Sequence, residues 1–514
     1  MVLALANMLL TALSAVTIYV ILLRVLFRLP SLAGRKHSTA LAAPDASPLA
    51  RQILPLSEHH HDQSGILPLV DGADAYCARM LLARAATLSI DAQYYIWQHD
   101  LTGLPLLAEL RAAAERGVRV RLLVDDNGTP ALDHELAALN SLPNAEVRIF
   151  NPFNLRRPRR LSYTFDFFRL NRRMHNKSFT VDGVATIIGG RNIGDIYFAR
   201  DAEAQYSDLD LLAVGKVVGD VARDFDRYWN SQSAYPHDLL VSPPAEGFAA
   251  FDAGLKAALA DPGTRDYADA IHASGLMQDI AAGSLPFLWA DAQLVSDDPA
   301  KGLGEVRRKH LMLVQLVRIA GSIQHSLDLI SAYFVPGRRG VRVLRNAVAS
   351  GARIRTLTNS LEATDVLPVH ASYTKYRRKL LEAGVEVYEL KADGAPPTES
   401  DKPLFGKSAS SLHAKTLILD RQKVFVGSFN FDPRSVLLNC EMGVLVDSPE
   451  LADRLTRSFE AMFRQAAWRV RYGRMRRLVW EDAAGRRSTR EPGASLLNTA
   501  ALTVIGWLPV EWLM

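Results

Sequence analysis

A chain of 514 residues is longer than one hydrophobic core sustains, so two domains or two pseudo-repeats are expected. Cys77 and Cys440 are the only cysteines, which excludes a disulfide framework and a cysteine-based zinc site. A net charge of +5 favours an anionic partner, membrane surface or nucleic acid, without separating the two.

Residues 1–23 contain no Asp, Glu, Lys or Arg and are rich in Leu, Ala, Val and Ile. As a helix they reach roughly 34 Å, enough to span a bilayer. Ala40-Leu41-Ala42 offers a cleavage site for a rival reading as an export signal. The basic residues Arg24, Arg28, Arg35 and Lys36 follow the apolar run, however, whereas an export signal carries them before it. The segment 1–29 therefore reads as an uncleaved anchor with the bulk of the protein on the cytoplasmic side. Residues 30–64 read as a linker, with His59-His60-His61 a solvated tract because no further ligand stands near.

Globular patterning begins near Gly65. Ala75 to Ala86 has helical periodicity, Leu88 to Trp97 reads as a buried strand, Pro105 to Arg116 as a helix and Val118 to Val124 as a strand. The β-α-β order implies a parallel pair, and it recurs over Leu327 to Val335, Val341 to Ala349 and Gly351 to Thr358. The runs starting at Glu115 and at Ala349 align without a gap, so the chain is internally duplicated. The first lobe spans 65–242 and the second 311–475. The segment 243–310 between them is less regular, and its Asp291, Asp297 and Asp298 lack calcium-loop spacing and read as a surface loop.

Arg156-Arg157-Pro158-Arg159-Arg160 leads into Tyr163, Phe165, Phe167, Phe168, Arg169, Arg172 and Arg173. Basic residues among aromatics suit lipid headgroups at an interface, or stacked bases; with an anchor in the same chain the membrane is favoured. Next comes the stretch His175 to Asn192. His175 and Lys177 leave the same face of an extended segment and can converge on one anion. Asp182-Gly183 is a hairpin signature, and the return strand, ending at Gly189, brings Asn192 back beside His175.

The pattern occurs twice. His413, Lys415, Asp420, Gly427 and Asn430 reproduce the spacings of His175, Lys177, Asp182, Gly189 and Asn192: two, five, seven and three. After each motif an acidic residue opens a strand. If Asp210 and Glu441 correspond, each lobe supplies a carboxylate that orients its own histidine. The tail, 476–514, is basic and then apolar with Trp507 and Trp512, while Pro509 and Glu511 argue against a second span; it reads as a membrane-associating segment.

The paired His-Lys-Asp pattern resembles that of the phospholipase D superfamily. Ser89 to Trp97, Asn171 to Lys177, Ile188 to Asn192, Glu491-Pro-Gly493 and Pro509 to Leu513 resemble the bacterial cardiolipin synthases, in particular their C type. The resemblance implies an α/β fold of two α/β/α lobes facing each other, here with an N-terminal transmembrane helix. It further implies one active site between the lobes, no metal or other cofactor, and a phosphatidyl-histidine intermediate. Phosphatidylglycerol is the implied acceptor, and phosphatidylglycerol or phosphatidylethanolamine the implied donor.

The residues themselves suit that chemistry. Lys177 and Lys415 supply positive charge for a phosphodiester, while Asn192, Asn430 and Ser428 donate hydrogen bonds to it. One histidine attacks phosphorus and the other protonates the leaving alcohol; His175 is taken as nucleophile and His413 as acid and base. Asp182 and Asp420 fall at the turns as structural supports. The expected partners are phospholipids and a bacterial cytoplasmic membrane, with no nucleic acid and the oligomeric state open. A hydrolase releasing phosphatidic acid and a nuclease of the same fold are the alternatives.

Overall fold

The computed structural model describes residues 2–43, 47–198, 205–281, 284–392, 410–508 and 511–513. Pro509, on which part of the tail reading rests, lies outside them.

The first lobe contributes strands β1 (Ser64–Leu69), β2 (Ser89–Ile96), β3 (Arg119–Gly128), β4 (Ala145–Phe150), β5 (Ser178–Val181), β6 (Ala185–Gly189), β7 (Gln205–Ser207), β8 (Asp210–Gly215) and β9 (Ala234–Pro236). The second contributes β10 (Leu288–Ser296), β11 (Ser326–Ser331), β12 (Arg353–Asn359), β13 (Glu386–Leu390), β14 (Ser410–Leu412), β15 (Lys415–Leu419), β16 (Lys423–Gly427), β17 (Met442–Asp447) and β18 (Ala467–Tyr472), followed by two short strands in the tail. In the first lobe β2, β3 and β4 run parallel, and the β5–β6 hairpin and β8 are added antiparallel beside β2. The second lobe repeats this with β11, β12 and β13 and then β15, β16 and β17. The repeats are visible even in their ion pairs. Asp91 lies opposite Arg121 and Asp328 opposite Arg355, joined at 2.7 and 2.6 Å.

Edge strand β1 pairs with β8, β10 pairs with β17, and β1 and β10 pair with each other, so the two sheets are continuous. An apolar cluster shared by Ile66, Leu211, Ala290, Val426 and Val444 fills the inner face between the lobes. Helices Gly72–Ala85 and Gly103–Glu115 cover the outer face of the first sheet. Met312–Ala320, Gly337–Ala349 and Leu367–Glu382 lie over that of the second.

The N-terminal helix, Val2–Leu26, is long and apolar enough over Ala4–Leu26 to cross a membrane, and no residue of that stretch is buried. It stands out from the first lobe and touches it at its C-terminal end, where Arg24 donates to the Phe165 carbonyl at 2.8 Å and meets Asp166 at 3.3 Å. The helix Tyr163–Leu170 that receives it leaves Phe168 63% exposed. The arginines around that helix are less available than their density suggests. Arg156 and Arg159 pair with Asp126 and Asp133, Arg169 with Asp166, and Arg173 with Asp125. Only Arg157 and Arg160 of the first cluster are exposed.

Residues that read as linker by composition are a strap on the first lobe. The Arg35 guanidinium donates to the carbonyls of Asn230, Ser231 and Ala234, Ser38 meets Trp229 and Asn230, and helix Pro48–Ser57 buries Leu49, Ala50 and Ile53. His60 stacks on Trp289 at 4.3 Å. The segment between the lobes is also more ordered than expected, with helices Ala249–Ala260, Gly263–His272 and Gly275–Ala281 before β10. Asp297 there is fully buried, not part of a surface loop, because Lys301 neutralises it at 2.7 Å and the Met312 N–H donates to it at 2.8 Å.

Candidate active site

Each motif is an extended segment followed by a hairpin, and the turn is built alike in both. Asp182 and Gly183 have φ of 52° and 66°, and Asp420 and Arg421 have 54° and 52°. Positive φ at a non-glycine residue needs support. The Asp182 carboxylate accepts from the N–H groups of Thr87, Leu88 and Ser89, and Asp420 from those of Gln324, His325 and Ser326. Both aspartates thus tie a turn to the start of the neighbouring parallel strand.

Before each hairpin the chain crosses to the other lobe. The His175 N–H donates to the Cys440 carbonyl at 2.8 Å, and the Cys440 N–H donates to Arg173. On the opposite side β14 pairs with β7 and the His413 N–H donates to Ser207 at 2.9 Å. The consequence is an exchange. His175 Nδ1 lies 2.9 Å from Glu441 Oε2, in the second lobe, and His413 Nδ1 lies 2.5 Å from Asp208 Oδ2, in the first. Each histidine is oriented by the other lobe's carboxylate, contrary to the expectation that each lobe serves its own.

Asp210 is not the partner of a histidine. In the hairpin ladders Gly189 lies opposite Asp210 and Gly427 opposite Gly443, so Asp208, two residues earlier, is the equivalent of Glu441. Asp210 instead bonds Arg79 at 2.8 Å, with Arg191 at 3.6 Å, all three buried. Ser428 is also placed differently from the expectation. Its hydroxyl donates to Glu441 Oε2 at 2.5 Å, so it holds the carboxylate and is not free to bind phosphate. In the first lobe the matching position is Gly190, where a Cβ would stand 2.1 Å from Asp208 Oδ1. The shorter acid therefore occupies the space that Ser428 takes in the other lobe.

Because His175 Nδ1 also faces the Ser428 carbonyl at 3.1 Å, and both its neighbours only accept, Nδ1 carries the proton and the Nε2 lone pair is free. Lys177 and Lys415 donate from Nζ to the carbonyls of His175 and His413. All four groups are buried. Burial pushes the His175 imidazole down, against the pull of Glu441, to about 4. Burial and then Lys415 lower His413, opposed by Asp208, and burial lowers both lysines. Burial raises the Asp208 carboxyl, but His413, Lys415 and Arg191 outweigh it and hold it below the usual range. Each lysine also acts on the opposite histidine and on both carboxylates, so the two motifs form one electrostatic unit.

Asn192 accepts the Ile96 N–H at 3.1 Å and keeps donor capacity at its amide, and Asn430 is buried with its Oδ1 unpartnered. Tyr95 stands edge-on to His175 at 5.0 Å, while Tyr206 stacks on His413 at 5.0 Å and Tyr197 meets its edge at 5.2 Å. Sequence reasoning missed these rings, Asp208 and Asp297, whose Oδ2 accepts the Glu441 N–H at 3.1 Å. Asn192 to Asp208 and Asn430 to Glu441 differ in length, so spacing could not align the acids; only counting back two from the residues opposite Gly189 and Gly427 does. Among the described residues no cluster of His, Cys, Asp and Glu has the arrangement of a metal site.

Two facing α/β lobes that share one His-Lys pair each define a phospholipase D-type enzyme. The comparisons agree. The family described as "Cardiolipin synthase, PLD-like domain" matches residues 81–229 and again 316–463. Cardiolipin synthase C of Escherichia coli (strain K12) is 48% identical over 471 residues, 91% of this chain and 99% of that protein. A cardiolipin synthase of Staphylococcus aureus (strain Mu50 / ATCC 700699) is 25% identical over 390 residues, 76% of this chain and 65% of that one. The crystal structure of phosphatidylserine synthase from Haemophilus influenzae Rd KW20 superposes with a TM-score of 0.56, covering 90% of this chain and all of that one; at 14% identity it speaks for the fold alone. The chain belongs to the cardiolipin synthase family, whose members are phosphatidyltransferases of the phospholipase D superfamily.

Proposed function

We propose that the protein moves a phosphatidyl group from phosphatidylglycerol or phosphatidylethanolamine to a headgroup hydroxyl of a second phosphatidylglycerol, through a phosphohistidine. The observation that carries this is the pair of buried imidazoles, each held by the opposite lobe's carboxylate beside a buried lysine. His175 Nε2 attacks phosphorus, and the bond from phosphorus to the headgroup oxygen breaks as His413 gives that oxygen its proton. His413 then takes the proton of the acceptor hydroxyl, whose oxygen displaces Nε2 and regenerates the enzyme. Lys177 and Lys415, with Asn192 and Asn430, offset the charge that gathers on the non-bridging oxygens. The 48% identity to a cardiolipin synthase supports a lipid acceptor over water. Radiolabelled phosphatidylglycerol in bilayers should therefore yield chiefly cardiolipin. Phosphatidic acid as the main product would replace this reading with a hydrolase, and turnover of DNA without lipid turnover would replace it with a nuclease.

The assignment of roles has a pH signature. Attack needs neutral His175, which is lost only as pH falls toward about 4. Protonation of the leaving group needs His413 charged, and its lowered pKa places that loss below its ordinary 6.5. The kcat/KM profile is expected to peak in the acid window between these limits, with the alkaline limb removed in His413→Gln. A maximum above pH 8 in the intact enzyme would contradict the roles.

We place the lobes on the cytoplasmic side of a bacterial inner membrane, since Arg24, Arg28, Arg35 and Lys36 all follow the apolar helix. Both native cysteines are buried, and burial pushes the Cys77 thiol up to about 11. A cysteine introduced as His59→Cys is thus the reactive thiol. It should resist an impermeant maleimide in whole cells and react once they are permeabilised; labelling of whole cells, or a mature N-terminus near Ala43, would reverse the assignment.

A further inference from the structure

The two lobes differ in how their outer sheet faces are filled. In the first, helix Gly72–Ala85 buries Tyr76, Cys77 and Leu82 against the sheet, and the helices of 249–281 lie outside it. The equivalent helix of the second lobe, Met312–Ala320, is shorter and buries only Met312 and Leu316, and its neighbour Gly337–Ala349 buries only Val341 and Leu344. Between them the sheet is open as an apolar groove of about 530 Å³, the size of a ligand site. Leu329, Leu417 and Phe425 form part of its lining from β11, β15 and β16, and Phe429 belongs to it too. Val317 and Val343 stand at its mouth, 60% and 59% exposed.

The rim is basic. Arg308 and Arg339 line it, exposed and without an ion pair among the described residues, and Lys423 joins them. Asp432, also in the lining, is turned to its own helix, where it accepts the Ser435 N–H at 2.7 Å. The groove is also linked, through one wall helix, to the segment that contacts the N-terminal helix and to the apolar tail. Its wall helix Pro433–Leu437 contributes Leu437 to the lining and carries Arg434. The Arg434 guanidinium donates to the Asn171 carbonyl at 3.0 Å and to the Leu513 carbonyl at 2.9 Å. It therefore joins the end of the aromatic helix, on which the anchor rests, to the end of the apolar tail. In a chain that we place at a membrane, an apolar slot with cationic groups at its rim suits a hydrocarbon chain below a phosphate.

We propose that this groove holds one acyl chain of an anionic phospholipid drawn from the bilayer, with the phosphate against Arg308 and Arg339. The site is separate from the His-Lys cluster. Phe429 and Phe431 line the groove, while Asn430 between them does not, as alternation in an extended segment requires. The bound chain thus packs behind the strand end that carries Ser428 and Asn430, and makes the lipid surface part of the support of that segment.

The test needs no turnover, so its failure is distinguishable from failure of the transferase reading. The full chain with His175→Ala is reconstituted in phosphatidylcholine nanodiscs containing a minor share of phosphatidylglycerol that bears a diazirine near the end of one acyl chain. After irradiation, adducts are mapped by mass spectrometry. They are expected on Met312–Ala320, on Gly337–Ala349 and near Phe425. Val317→Trp with Val343→Trp, both at the exposed mouth and checked for an unchanged melting temperature, should abolish the groove adducts and spare those on the anchor helix. Arg308→Glu with Arg339→Glu should lower the groove yield with the phosphatidylglycerol probe by about fivefold or more, and leave a phosphatidylcholine probe unchanged. Adducts confined to the anchor and tail, a groove yield unaffected by the tryptophans, or protein-to-protein crosslinks showing a second copy seated there would each overturn the proposal.

Discussion

His175→Ala and His413→Ala are each expected to reduce phosphatidyl transfer by roughly 10⁴-fold or more, and the double variant to be no worse than either single one, since residues that act as a unit are not additive. The two differ in what they leave behind. Without His175 no phosphorus–nitrogen bond can form at that position, so quenching with labelled lipid should trap label on the intact enzyme and none on His175→Ala. Without His413 the attack lacks a proton for the leaving alcohol, and label should accumulate slowly if at all. The measurement is product formation from labelled phosphatidylglycerol beside covalent trapping. Near-normal turnover in either single variant would end the shared-site account, and trapping on His413 in place of His175 would exchange the roles.

Asp208→Asn and Asp210→Ala should separate sharply although the residues are two apart. Asp208 meets His413 at 2.5 Å, and an amide of the same shape keeps the packing while losing the charge that fixes the imidazole. A fall in kcat of roughly 10²- to 10⁴-fold with an unchanged melting temperature is expected, and Glu441→Gln should act likewise on His175. Asp210 touches no histidine, but it lies between Arg79 and Arg191 in the core. Its removal leaves buried guanidinium charge uncompensated and should cost about 3–5 kcal/mol of stability. Thermal unfolding and specific activity of the folded fraction, measured together, decide the matter. If Asp208→Asn unfolded the protein while Asp210→Ala lost only activity, the assignment of the carboxylates would be inverted.

Much of the architecture was legible in the chain because duplication is a local property. The gapless alignment of the runs at Glu115 and Ala349 corresponds to β3 and β12, and the Asp182-Gly183 signature to a real turn with positive φ at both residues. The apolar run at the N-terminus needed only its length and composition to be read. Segments whose order depends on what they touch were not legible. The composition of residues 30–43 is that of a linker, yet Trp229 and Asn230, almost two hundred positions away, make it a strap. Asp297 belongs by sequence to a loop, and Lys301 makes it core.

The chemistry divides along the same line. Sequence by itself singled out the four residues to which we assign the chemistry, because His175, Lys177, His413 and Lys415 recur at one spacing and their pairing on a short extended segment follows from backbone geometry. It could not determine who orients them. The crossing of β14 onto β7, and of His175 onto Cys440, hands each imidazole to the opposite lobe, a contact between residues 205 and 266 positions apart. Register along a ladder selected Asp208 over Asp210, since a side chain two residues along the same strand face reaches a different neighbour. Only the folded pair of lobes, by excluding water from four charged or titratable groups at once, lowers His175 to about 4 and leaves its lone pair free.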